Sequence, residues 1–225
     1  GSVTLDGNGH KLTSTAPRAI NVDGANGATI KNLTIEAAGE RAINVINGST
    51  NVTIENVTAT AANYAVNVAG SAANTVITIN DSDLTGLNTV NVAGNGAQIT
   101  INNTKLTCDD QSSAEYYAAI SANADGANIV VNGGEVVVNG DSTAANIFGA
   151  NSAITFNGTV GAEEAKVIVA KVGEAGFYTL QEALDYAAEK GGVVKLIRDV
   201  ESDLIITISG SVTLDGNGHK LTSTA

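Results

Sequence analysis

The chain has 225 residues, enough for one sizeable domain with a real core. It carries 11 Lys and Arg against 23 Asp and Glu, a formal net charge of −12. That balance argues against nucleic acid and against an anionic membrane surface, and no run of about 18 apolar residues offers a membrane span. There is no Met and no visible signal peptide, so the sequence reads as a mature segment or a fragment. One cysteine, Cys108, excludes an intrachain disulfide and reads first as a small core residue. The 25 glycines, together with many Asn and Thr, suit tightly stacked strands joined by short polar turns.

The first sixteen residues, GSVTLDGNGHKLTSTA, return unchanged as residues 210–225. Between the copies one phrase recurs, an apolar–Thr–apolar triplet and a polar residue followed by a Gly- and Asn-rich corner. It begins as Val3-Thr4-Leu5-Asp6, Ala28-Thr29-Ile30-Lys31 and Val52-Thr53-Ile54-Glu55. Ile77-Thr78-Ile79-Asn80, Ile99-Thr100-Ile101-Asn102, Ile129-Val130-Val131-Asn132 and Ile154-Thr155-Phe156-Asn157 continue it. The third members are spaced by 25, 24, 25, 22, 30 and 25 residues.

A second phrase keeps step: Ile20-Asn21-Val22, Ile43-Asn44-Val45, Val66-Asn67-Val68 and Val90-Asn91-Val92. Strand alternation points its Ile and Val inward and its Asn outward. A third apolar column is read at Leu12, Leu33, Val57, Leu84, Leu106, Val136 and Val160. Each period of about 24 residues thus holds three short strands, the pattern of an all-β, right-handed parallel β-helix. Seven coils stacked at roughly 4.8 Å make a rod on the order of 34 Å long.

The pattern breaks near Gly161. Coils are expected over residues 1–160, and residues 161–225 hold a linker strand, a helix and further coil. Lys166–Val172 reads as the linker strand, and residues 178–190 as a helix. Thr179 and Glu182 form a capping box, Gly191 is the stop, and Leu180, Ala183, Leu184, Ala187 and Ala188 are the apolar stripe. Residues 193–197 and 204–208 return to strands and run into the second copy.

Phe177-Tyr178-Thr179-Leu180-Gln181-Glu182-Ala183-Leu184, Gly192-Val193-Val194-Lys195-Leu196 and Val212-Thr213-Leu214-Asp215-Gly216-Asn217-Gly218-His219-Lys220-Leu221 together resemble the opening of pectate-lyase-like β-helix modules. Such modules are common in large repetitive bacterial surface proteins. The resemblance implies a helix that caps the mouth of the solenoid, ahead of the coils; here the helix follows them. A tandem array of 209-residue modules and a circular permutant with overlapping ends both account for that order. An uncapped first coil leaves its strand edges and core open. Val3, Leu5 and Leu12 in one copy and Val212, Leu214 and Leu221 in the other are therefore candidates for head-to-tail self-assembly, a contact that does not close and gives fibres.

Chemistry is sparse. His10 and His219 are the same corner position, so no nucleophilic triad or zinc site can be built on them. Relatives of this fold that cleave polysaccharides use acids on Ca²⁺ and a basic residue, and here Arg18 and Arg41 occupy matching places on neighbouring coils. Arg41 is a candidate ligand for carbohydrate, with exposed ion pairing as the plainer reading. The long insertion in residues 107–128 carries Asp109, Asp110, Glu115, Tyr116 and Tyr117, candidates for a sugar ring or Ca²⁺. Its plainer reading is a solvated loop whose tyrosines fold back on the coils. The single Thr per coil is a weak match to ice-binding arrays, and the Asn-x-Ser/Thr sequons follow from turn composition. The sequence therefore points to a non-enzymatic stalk, adhesin or fibre unit at the cell surface or outside the cell, without a cofactor. A polysaccharide-binding or lyase-like domain is the alternative.

Overall fold

The computed structural model describes residues 2–109 and 117–225, and within these the chain is a parallel β-helix of about nine turns, about 24 residues each, with a single short helix. It divides into two compact units, Gly1–Ala165 and Lys166–Ala225.

In the first unit the triplets form parallel strands in unbroken register. Leu5 faces Ile30, then Ile54, Ile79, Ile101, Val131 and Phe156 follow coil by coil. The interior members of this column are buried, and Ile54, Ile79 and Ile101 are fully so. The Thr column lies beside it, from Thr4 through Thr29, Thr53, Thr78 and Thr100 to Val130 and Thr155. Each coil then turns through a left-handed corner, at Asn8, Asn32, Asn56, Asp81, Asn103, Gly133 or Gly158, with φ between 46° and 67°; Gly9 and Gly134 extend the corners at Asn8 and Gly133. Gly tolerates this region, and Asn and Asp are the side chains that enter it most readily. This explains why the corners are written in those three residues.

The corner shifts the third column from its expected position. Leu12 pairs with Ile35, and Leu33 pairs with Val57. The true column is Leu12, Ile35, Ala59, Leu84, Leu106 and Val136. Leu33 and Val57 sit two residues earlier, next to the corner, inside strands Thr29–Ala37 and Val52–Ala61 that run straight through it. Val160 is also displaced: it bridges Glu135 and is 66% exposed.

The Ile-Asn-Val phrases form the third face, with Ile20, Ile43, Val66 and Val90 in register. Beyond the first coil, where Asn21 is exposed, the asparagines between them do not face water: Asn44, Asn67 and Asn91 are 1, 3 and 6% exposed. Each side chain donates from Nδ2 to the Oδ1 of the coil before it, Asn44 to Asn21 at 2.8 Å, Asn67 to Asn44 at 2.7 Å and Asn91 to Asn67 at 2.7 Å. Asn123 continues the ladder to Asn91. An amide that donates upward and accepts from below supplies much of its own hydrogen bonding, which is what allows burial. A second ladder joins Asn157, Asn132, Asn102 and Asn80.

In the second unit residues 166–172 are not one strand. Lys166–Val167 is a two-residue strand, and Ala170–Val172 forms an antiparallel hairpin with Ala175–Phe177 through Gly173 at φ 60°. Ala170–Val172 also pairs antiparallel with Val193–Leu196. The helix spans Leu180–Lys190 with Thr179 as N-cap and both halves of the capping box formed, and Gly191 ends it. Leu180, Ala183, Leu184 and Ala187 are buried against Ala170, Val172, Val194 and Leu196. Ala188 lies outside that stripe and is exposed, because its position turns it off the face set by Leu180, Leu184 and Ala187. Residues 204–208 form no strand; Leu204 and Ile205 are 71 and 83% exposed.

Candidate functional site

The two copies of the sixteen-residue segment share their sequence but not their neighbours. In the first, Thr4–Asp6 pairs parallel with Thr29–Lys31, and Lys11–Ser14 with Thr34–Ala37, the coil that follows. In the second, Thr213–Asp215 pairs with Val193–Lys195, and Leu221–Ser223 with Val200–Ser202, the coil that precedes. One copy is stacked from one side and its twin from the other.

The corner polar groups follow the same division. Asp6 accepts from the Asn8 amide and from Asn32 Nδ2 at 3.1 Å, and lies 3.4 Å from Lys31 Nζ, all within or after its coil. The Asn8 amide, then Asn32 and Lys31, hold its carboxyl below the usual range. In the second copy Asn217 Nδ2 donates backward to the Leu196 carbonyl at 3.0 Å. The Lys220 amide donates to Asp199 Oδ1 at 2.9 Å, and His219 Nδ1 stands 3.5 Å from the same oxygen. The Lys220 amide chiefly, and His219 with it, keep the Asp199 carboxyl low.

The candidate assembly residues sit at these edges. Leu5 occupies the core column yet is 42% exposed, and Val3 is 65% exposed, while Leu12 is half-buried. Val212 and Leu214 pack partly against the core of the second unit, and Leu221 is 42% exposed.

Among the described residues the other candidates do not form one centre. Arg18 and Arg41 stack in register as expected. The Arg41 guanidinium lies 5.6 Å from the centroid of the Tyr64 ring, and its Nη2 is 3.5 Å from Glu40. Glu36 turns instead to Lys11 at 2.9 Å. Tyr64 is the residue that sequence reading missed, although Tyr64-Ala65-Val66-Asn67-Val68 repeats the frame of Arg41-Ala42-Ile43-Asn44-Val45 and marks it as the next member of that column.

In the long coil, Asp109 is exposed and accepts from Asn139 Nδ2 at 3.0 Å, and Tyr117 is half-buried against the core. Asp110, Glu115 and Tyr116 lie outside the described residues. Cys108 is fully buried, its Sγ 3.0 Å from the Leu87 carbonyl, as a core residue should be. Among the described residues no group of three or more His, Cys, Asp or Glu side chains could hold a metal ion, and no helix is long and apolar enough to cross a membrane. Comparison with protein-family models, with curated proteins and with solved structures finds no match to this chain.

Proposed function

We propose that the chain is a non-enzymatic structural module, a stalk, adhesin or fibre unit of a repetitive extracellular protein related to the pectate-lyase-like β-helices, and that it associates head to tail. The observation that carries this reading is the pair of identical coils stacked from opposite sides. Laid over each other, they order three coils without a gap: Val193–Ser202, then the shared coil, then Thr29–Ala37. Stacked coils joined by Asn ladders make a stiff element, and the charge of −12 discourages sideways clumping. Such a contact uses two different surfaces, so it propagates rather than closing at a dimer.

Sedimentation velocity over a micromolar-to-millimolar concentration series tests the reading. The expected result is a weight-average sedimentation coefficient that rises steadily with concentration. A single monomer boundary throughout would overturn head-to-tail association.

A further inference from the structure

Eight Asn-Gly pairs stand in the sequence, and two of them occupy the same corner of successive coils. Asn132-Gly133 and Asn157-Gly158 lie in register, and Asn157 Nδ2 donates to Asn132 Oδ1 at 2.8 Å. Both glycines are left-handed, with φ of 67° and 66°. What meets the glycine differs. The Gly133 amide donates to the Asn157 carbonyl at 2.8 Å, just as the Asp81 and Asn103 amides donate to the carbonyls of Asn102 and Asn132. The Gly158 amide has no partner among the described residues. A Cβ on Gly133 would meet Asn103 Oδ1 at 2.9 Å, whereas one on Gly158 would meet nothing within 4 Å. Asn157 and Gly158 are exposed, while Asn132 and Gly133 are half-buried.

An asparagine followed by glycine carries its own reaction. The glycine nitrogen loses its proton to hydroxide and attacks the asparagine Cγ. A bond from that nitrogen to Cγ forms, the Cγ–Nδ2 bond breaks, and ammonia leaves a succinimide ring behind. Water then opens the ring at either carbonyl, giving aspartate or isoaspartate. Glycine favours the attack because no Cβ shields its nitrogen. A proton held in a hydrogen bond is harder to remove. The Gly9, Gly27, Gly48 and Gly96 amides are held as Gly133 is, each by a carbonyl of the following coil. Asn139-Gly140 adjoins undescribed residues through Asp109, and Asn217-Gly218 belongs to the second unit, so Asn132 is the matched comparison for Asn157.

We propose that Asn157 is a site of spontaneous covalent modification, converted to aspartate and isoaspartate by attack of the Gly158 amide nitrogen, and that the change spreads next to Asn132. The product adds a negative charge and cannot donate to Asn132 Oδ1. The end rung of the ladder that runs through Asn132 and Asn102 to Asn80 is lost. Isoaspartate also routes the main chain through the former side chain, which moves the carbonyl that holds the Gly133 amide. Asn132-Gly133 is then left in the condition in which Asn157-Gly158 began, one coil further in.

Peptide mapping by mass spectrometry tests this, on the full chain held folded at mildly alkaline pH and sampled over weeks. Asn157 is expected to convert about tenfold faster than Asn132, the rate equivalent of one backbone hydrogen bond. In denaturant the two are expected to convert at similar rates, because no coil distinguishes them. Gly158→Ala, which has room for its methyl group, is expected to slow Asn157 severalfold, with thermal unfolding confirming that the coils are intact. Chains already isoaspartyl at 157, separated by ion exchange on their added charge, are expected to convert Asn132 severalfold faster than unconverted chains. Asn132 converting as fast as Asn157 in the folded chain overturns the site. A rate ratio that persists in denaturant, or no slowing by Gly158→Ala, also overturns it. Equal Asn132 rates in the two separated fractions overturn the spread while leaving the site at Asn157 standing.

Discussion

Asn67→Asp is expected to destabilise the first unit by about 4 kcal/mol, enough to lower its melting temperature by roughly 8–16 °C. Asn67 donates to Asn44 and accepts from Asn91 while only 3% exposed. The carboxylate still accepts from Asn91, but it sets an oxygen against Asn44 Oδ1 and buries a charge with no cation on the ladder. Asn67→Ala removes the charge and leaves two buried partners unsatisfied, for an expected loss of about 3 kcal/mol. Thermal unfolding followed by circular dichroism measures both. Equal and small losses at Asn67 and at the exposed end of the ladder, Asn21, would show that the ladder contributes little.

Gly149→Ala is expected to cost about 3 kcal/mol for a different reason. The Gly149 amide and the Phe148 amide both donate to the Ala122 carbonyl, at 3.1 and 2.9 Å. This draws the corner so close to the coil below that an added Cβ would fall on the carbonyl of Ala124. Backbone cannot rotate away as a side chain can, so the two coils must part. Gly48→Ala is the control: its Cβ would meet nothing within 4 Å, but its φ of 70° makes it strained. Its expected cost is about 1 kcal/mol, from conformation alone. Similar melting temperatures for the two variants would contradict close coil approach at Gly149.

The fold was legible wherever one residue type serves one purpose in every coil. The Ile column from Ile30 to Ile101 and the Thr column beside it keep the register that their spacing implies. The third column differs from its expected place at Leu33 and Val57 because two apolar residues follow each left-handed corner, Leu33 and Ile35 after Asn32 and Val57 and Ala59 after Asn56. Spacing alone does not say which of Leu33 and Ile35 continues Leu12. The buried Asn ladder was misread for a related reason. Alternation sets which face a side chain takes, but burial on that face depends on whether the neighbouring coils offer a partner.

Residues 204–208 are the instructive case. Their pattern reads as a strand, and they form none in the chain by itself. A strand needs a strand partner on at least one edge, and what meets Thr207 is the side chain of Gln181, which donates to its carbonyl and accepts from its amide. Likewise the assembly candidates were found by identity of sequence, whereas the opposite sides from which the two copies are stacked became visible only in the pairing registers. The acidic insertion left less to read: Asp109 is engaged by Asn139, and Asp110, Glu115 and Tyr116 lie outside the described residues.

Negative-stain electron microscopy of the purified chain at rising concentration bears most directly on the central claim that identical coils join copies into a rod. The account predicts unbranched filaments one β-helix wide whose length grows with concentration, and which disappear when residues 1–16 and 210–225 are both removed. Isolated particles at every concentration, or broad sheets formed side by side, would contradict it.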